Sequence, residues 1–156
     1  MYLTPSYHKT TSPKDLMRVV DGMANIIRTW VGEQPFTVSH MVVTGASGQS
    51  IAWPVSYKIG LPVAIARKPN ENAHTGEDLV GTGQLTDYII LDDLIGTGST
   101  IHRMLRSISK QAKERGVVVP KCRAIFLYYS GHRTPYADSS DSEPIPVFGT
   151  NLVEDY

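Results

Sequence analysis

The sequence predicts an α/β fold: one domain over residues 1–156, with a mostly parallel five-stranded sheet flanked by helices. Three observations carry this. Short apolar runs rich in β-branched residues alternate with stretches whose apolar residues recur at spacings of three and four. Two of these runs, ending near Thr44 and at Asp92, pass directly into a small-residue turn and then a helical pattern. The run Tyr88 to Leu91 is apolar without alternation, as in a parallel strand buried on both faces.

Size and composition narrow the class. A chain of 156 residues can bury one core. Its 15 basic and 15 acidic residues balance, so no basic stripe argues for nucleic acid. The lone Cys122 excludes an internal disulfide and suits a reducing compartment. No apolar run approaches the ~20 residues of a membrane span. Met1 to Thr11 lacks the basic-then-apolar order of a signal peptide. The expectation is a cytoplasmic protein with no membrane partner.

In chain order, Met1 to Thr11 reads as an irregular lead-in. Ser12-Pro13-Lys14-Asp15 starts a helix, with Ser12 as N-cap, Pro13 in the first turn and Asp15 near the positive end of the dipole. Leu16, Val19, Val20, Met23, Ile26, Ile27 and Trp30 form one apolar face for the core, and the helix stops near Gly32. Thr37 to Thr44 is a strand, with His40 as a structural residue inside it. The turn Gly45 to Ser50 leads to a helix over 51–59, for which Pro54 predicts a late start or a kink. Val63 to Ala66 is a short buried strand ending in Arg67-Lys68, where open α/β sheets bind ligands. Pro69 to Thr86 is a long polar, Gly-containing connection of the kind that is functional or mobile. After the Tyr88 strand, Ile101, Met104, Leu105, Ile108 and Ala112 mark a helix stopped by Gly116, with His102 and Arg103 facing solvent in its first turns. Val117–Val119 and Cys122–Tyr129 form a fourth strand region. Ser130 to Pro144 is a polar loop, Ile145 to Phe148 a short edge strand, and the rest a tail.

The chemistry concentrates at Asp92-Asp93-Leu94-Ile95-Gly96-Thr97-Gly98-Ser99-Thr100. Strand, small-residue turn and helix in that order gather backbone N–H groups and a helix N-terminus around one point, an anion site suited to phosphate. Adjacent carboxylates repel and call for hydroxyls or cations. A ligand with a phosphate at one end and a diol or bound Mg²⁺ beside it satisfies both halves. An apolar strand ending in Asp also occurs in nucleoside triphosphatases. They need Gly-x-x-x-x-Gly-Lys-Ser/Thr, which Gly45-Ala46-Ser47-Gly48-Gln49-Ser50 does not supply.

The segment Leu91 to Thr100 resembles the phosphoribosyl-pyrophosphate signature of type I phosphoribosyltransferases. The resemblance implies that Asp92 and Asp93 hold the ribose hydroxyls and, through water, Mg²⁺. It implies that Ile95, Gly96, Thr97, Gly98, Ser99 and Thr100 cup the 5′-phosphate. Ala46-Ser47-Gly48 resembles the pyrophosphate loop of xanthine-type enzymes, a loop whose peptide is often strained or cis. Arg67-Lys68, followed by His74-x-Gly76-Glu77, resembles the catalytic loop of orotate phosphoribosyltransferases, with Thr75 inserted and one Lys fewer. Arg67 and Lys68 would then meet pyrophosphate, and Lys68 and His74, with the two acids, would serve catalysis. Gly96 stands where 6-oxopurine enzymes carry an Asp, which argues against hypoxanthine, guanine and xanthine. The hood that selects the base is reduced to Met1–Thr11, Ser130–Pro144 or the tail. Tyr7, Tyr136 and Phe148 are aromatics that either stack on a base or, the favoured reading, simply pack. For the turns after residues 37–44 and 87–92 to hold one ligand, their strands must be neighbours, giving a strand order 2-1-3-4-5. The expected activity is transfer of ribose 5-phosphate from phosphoribosyl pyrophosphate to a nitrogen heterocycle, by a homodimer. The alternative is a module on the same fold that binds the ligand without turnover.

Overall fold

In a computed structural model of the chain, Met1, residues 12–68 and residues 77–152 are described. His74 and Tyr7 lie outside the described residues. Helix α1 (Pro13–Gly32) starts as its sequence dictates. Ser12 is extended, its Oγ accepts the Asp15 N–H at 3.1 Å, and Pro13 occupies the first turn. Its buried face, Val19, Val20, Met23, Ala24 and Ile27, is the one the spacing marks.

The remaining elements are β1 (His40–Val43), α2 (Gly45–Ile59), β2 (Val63–Ala66), β3 (Leu79–Gly81), β4 (Tyr88–Asp92), α3 (Ser99–Glu114), β5 (Cys122–Leu127) and β6 (Val147–Gly149). The sheet order is β3-β2-β1-β4-β5-β6. Every neighbouring pair is parallel except β2 with β3. The five expected strands therefore stand in the expected order. The sheet nevertheless has six strands, because Leu79–Gly81 adds an antiparallel edge beside β2.

Alternation along the central strands builds two cores. Met41, Val43, Ile89, Leu91, Ala124 and Phe126 face α1 and α2. Val42, Ile90, Ile125 and Leu127 face α3. Burial on both faces explains why Tyr88 to Leu91 has no polar position, since each such side chain contributes roughly 1.5–3 kcal/mol when buried. The connection leaving β1 runs through α2 on one face, and the one leaving β4 runs through α3 on the other. Adjacent strands with opposite crossovers form a switch point, and their C-terminal ends, Thr44 and Asp92, open a crevice there.

Several local expectations are corrected. Helix α2 has no late start: it begins at Gly45, with Pro54 inside it. Pro54 removes the N–H partner of the Ser50 carbonyl, and Ser50 is an exposed residue, so water can replace that bond. Burial of Ile51, Ala52 and Val55 holds the helix together across the break. Val117–Val119 is not strand but an exposed connection. His40 is structural as expected, buried at 4% exposure with Nε2 2.6 Å from the Thr82 carbonyl oxygen. Phe148 stacks on Phe126 with ring centroids 5.2 Å apart, beside Trp30, so it is a packing residue.

Candidate active site

The crevice between β1 and β4 is a cavity of about 260 Å³. The stretch Asp92 to Ile101 forms one wall, and Thr44, Gly45, Ser47 and Lys68 form the other. Asp92 and Thr97 thus line one space.

Asp92 ends β4 and is only 5% exposed. Its Oδ1 accepts the Asp93 N–H at 2.9 Å. Burial, and then the neighbouring Asp93 charge, push its carboxyl up to about 7; Lys68 offsets part of this. Asp93 is half-buried, and its Oδ1 accepts the Leu94 N–H at 2.8 Å. The backbone of both acids is pinned from β5 and beyond: Tyr128 N–H donates to the Asp92 carbonyl at 3.2 Å and Tyr129 N–H to that of Asp93 at 2.9 Å.

The turn after the acids delivers the start of α3. Gly98 is the N-cap, with φ +80°, and supplies no side-chain cap. Thr97 Oγ1 accepts the Ser99 N–H at 3.3 Å and donates to Ser99 Oγ at 3.0 Å. The first-turn amides that follow have no capping side chain, and their helix dipole favours negative charge. Ile95, Gly96, Thr97, Gly98, Ser99 and Thr100 all line the cavity.

On the opposite wall, Gly45 takes φ +61° to turn β1 into α2. A Cβ there would sit 3.2 Å from both Cε and Nζ of Lys68, so the lysine is folded over this turn. Of the expected pyrophosphate loop only Ser47 lines the cavity. Ala46 is exposed on α2, while Gly48 is buried against Val43 and the Leu91 carbonyl. The loop is the first turn of a helix, and no peptide bond among the described residues is cis. Tyr128 Oη donates to the Ser47 carbonyl at 3.0 Å, which fixes that turn from below. Arg67 does not join Lys68. Successive residues leaving a strand point to opposite sides, and Arg67 lines the neighbouring groove against α3.

Two residues do more here than their sequence positions suggest. Arg103, read as solvent-facing, is half-buried: Nη2 donates to Thr44 Oγ1 at 3.0 Å and Nη1 to the Arg67 carbonyl at 2.9 Å. Thr44 Oγ1 in turn donates to the Ala66 carbonyl at 2.6 Å, so one guanidinium and one hydroxyl tie together the ends of β1 and β2. Its place in the second turn of α3, beside Met104 and facing the sheet's C-terminal edge, was the available signal. His102 is also engaged, paired with Asp138. Tyr136 lies against the turn that starts α3, its Cε2 3.1 Å from where a Gly98 Cβ would be and its Oη 3.4 Å from the Gly98 carbonyl.

No protein-family profile matches the chain. Among curated proteins, an orotate phosphoribosyltransferase of Methanopyrus kandleri is 35% identical over 60 residues, 38% of this chain and 33% of that protein. The matched region thus spans about a third of the relative's length. Among solved structures, adenine phosphoribosyltransferase from Trypanosoma brucei, in complex with AMP, pyrophosphate and ribose 5-phosphate, aligns with TM-score 0.59 at 14% identity. That alignment covers 94% of this chain and 69% of the other. Orotate phosphoribosyltransferase from Francisella tularensis aligns with TM-score 0.56 at 17% identity, over 89% and 67% of the two chains. A six-stranded, mostly parallel sheet wound on both faces, with an Asp-Asp strand end opening into a small-residue turn, places this chain within the type I phosphoribosyltransferase fold.

Proposed function

We propose that the protein is a phosphoribosyltransferase: a nitrogen heterocycle attacks C1 of phosphoribosyl pyrophosphate, the bond from C1 to the pyrophosphate oxygen breaks, and pyrophosphate leaves. The observation that carries this reading is the single cavity in which Asp92, Asp93, Lys68 and the Thr97–Thr100 turn meet. The turn and the α3 amides would hold the 5′-phosphate at one end. Asp93, the more accessible carboxylate, and Asp92 would accept bonds from the ribose hydroxyls. Lys68, beside Ser47 and the first turn of α2, would face the leaving pyrophosphate and stabilise the charge developing there. His74 would add to this from the loop outside the described residues.

Among the described residues no group of three or more His, Cys, Asp or Glu side chains could enclose a metal. Mg²⁺ usually takes one or two carboxylates and completes its shell with water and substrate oxygens, which fits Asp92 and Asp93. When bound, Mg²⁺ would neutralise charge on the pyrophosphate. The acceptor would be an adenine-like, orotate-like or other base outside the 6-oxopurines, a reading supported by Gly96 and by the names of the similar proteins. A homodimer in the cytoplasm is part of the proposal; no helix of the described residues is long and apolar enough to cross a membrane.

Pyrophosphate release with phosphoribosyl pyrophosphate and Mg²⁺, measured over a panel of purine and pyrimidine bases, tests the reading. Release with at least one base is expected. Calorimetric binding of phosphoribosyl pyrophosphate with no release for any base would leave a binding module instead, and no binding at all would end the proposal.

A further inference from the structure

We propose that the groove between α3 and the ends of β2 and β3 is a second anion site, built for a small polyphosphate such as the tail of a nucleoside triphosphate. The groove encloses about 750 Å³ and shares no lining residue with the cavity between β1 and β4. Arg67, Arg103, Arg106, Lys110 and Lys113 line it, against only Asp78 and Glu114. That is five cations to two acids on a chain whose formal charge is zero.

The placement is not that of an ordinary solvated helix face. Residues 103, 106, 110 and 113 are spaced by three and four, so α3 carries its four cations in one line. Like charges at this spacing destabilise a helix by a few tenths of a kcal/mol per pair. The only acid in line is Glu114, 3.8 Å from Lys110. Arg67 joins the row from the end of β2, and neither it, Arg106 nor Lys113 makes an ion pair among the described residues. Two guanidinium forks and an ammonium left over in one concavity match the geometry of phosphate oxygens.

The ligand is small. From 103 to 113 the helix advances about 15 Å, and the acids Glu77, Asp78 and Glu114 close the far end of the track. A nucleic-acid strand would need the basic row to continue, and the neutral chain offers no such continuation. Among the described residues no Phe, Tyr or Trp lines the groove, and its one imidazole, His102, is paired with Asp138, so the phosphates rather than a base provide the attraction.

Calorimetric titration with inorganic tripolyphosphate and, separately, with ATP tests this on the full chain. The same titrations are run on Arg106→Gln/Lys113→Gln, at two exposed positions, and on Thr97→Asp, which places a carboxylate in the phosphate turn of the other cavity. The expected result is a salt-sensitive site that persists when the β1/β4 cavity is blocked by Thr97→Asp. The double variant should weaken it at least tenfold with an unchanged melting temperature, and Thr97→Asp should leave it within twofold. Preference for ATP would assign a nucleotide, and equal or better binding of tripolyphosphate an inorganic chain. No binding to the wild type, equal binding to the double variant, loss on Thr97→Asp alone, or tighter binding of a single-stranded oligonucleotide than of either probe would each overturn the proposal.

Discussion

Arg103 reaches from the second turn of α3 to Thr44 at the end of β1, its Nη2 3.0 Å from the threonine hydroxyl. The same guanidinium holds the Arg67 carbonyl at 2.9 Å, so it ties the end of β1 to the residue that follows β2. Hydrogen bonds made by a charged group contribute about 1.5–3 kcal/mol each. Arg103→Met should therefore lower the melting temperature and weaken ribose 5-phosphate binding about tenfold. Arg103→Lys should restore little of either, because an ammonium lacks the planar fork that spans two acceptors. Thermal melts and calorimetry check both; a lysine variant equal to wild type would show that only the charge matters.

Gly45 and Gly96 both line the cavity, yet they should respond differently to alanine. At Gly45 the backbone is left-handed, with φ +61°, and the new methyl would meet Lys68 at 3.2 Å. Strain of this kind costs of the order of 1–3 kcal/mol. Gly45→Ala should lose that much stability and raise KM for phosphoribosyl pyrophosphate by displacing the lysine. A Cβ at Gly96 meets nothing within 4 Å, so Gly96→Ala should change stability by less than about 0.5 kcal/mol. Denaturant unfolding of the pair provides the comparison.

Tyr136 offers a way to separate a hydroxyl from a ring. Its hydroxyl lies 3.4 Å from the Gly98 carbonyl and 3.2 Å from Asp138 Oδ1. Burial, then the Asp138 charge, push the phenol up to about 12, so it stays a donor at any working pH. Tyr136→Phe keeps the ring against Gly98 and should cost about 0.5–1.5 kcal/mol of stability. Tyr136→Ala frees the N-cap turn of α3 and should weaken ribose 5-phosphate binding by tenfold or more. If the two variants bind alike, the ring does not position the turn.

What was legible in the sequence follows from how local each cause is. The N-cap Ser12, the apolar face of α1 and the unbroken run before Asp92 are set by residues within a turn or two of one another, so the local sequence specifies each. The strand order followed from one non-local requirement, that two anion turns share a ligand. Leu79–Gly81 becomes a strand only because β2 offers it an open edge, which no three-residue pattern announces. The start of α2 was obscured because Gly45-Ala46-Ser47-Gly48 has the composition of a loop, while Ile51, Ala52 and Val55 make it a helix by packing. Adjacency pairs Arg67 with Lys68, although neighbouring side chains at a strand end diverge and the two line different cavities. The apolar period of α3 excludes Arg103 and so points it to solvent; its partners, Thr44 and the Arg67 carbonyl, are distant in sequence.

The elevated Asp92 carboxyl has opposite consequences for folding and for binding. Its folded value is pushed up to about 7, above the roughly 3.9 of an unfolded chain, because burial disfavours the charge. The unfolded state thus loses its proton first. Asp92 favours folding fully below pH ~4, and that contribution is lost as pH rises through about 7. Asp92→Asn should remove this slope and, at pH 8, make the protein more stable than wild type by about 1–3 kcal/mol. A ribose hydroxyl donates best to the ionised carboxylate, so wild-type affinity for phosphoribosyl pyrophosphate should climb between pH 6 and pH 8 even as stability falls. In the Asn variant affinity should be low and flat. Urea unfolding and calorimetry at matched pH measure the two trends. Parallel trends would place the acid outside the ligand's reach, and a flat stability profile in the wild type would show that the buried carboxyl titrates normally.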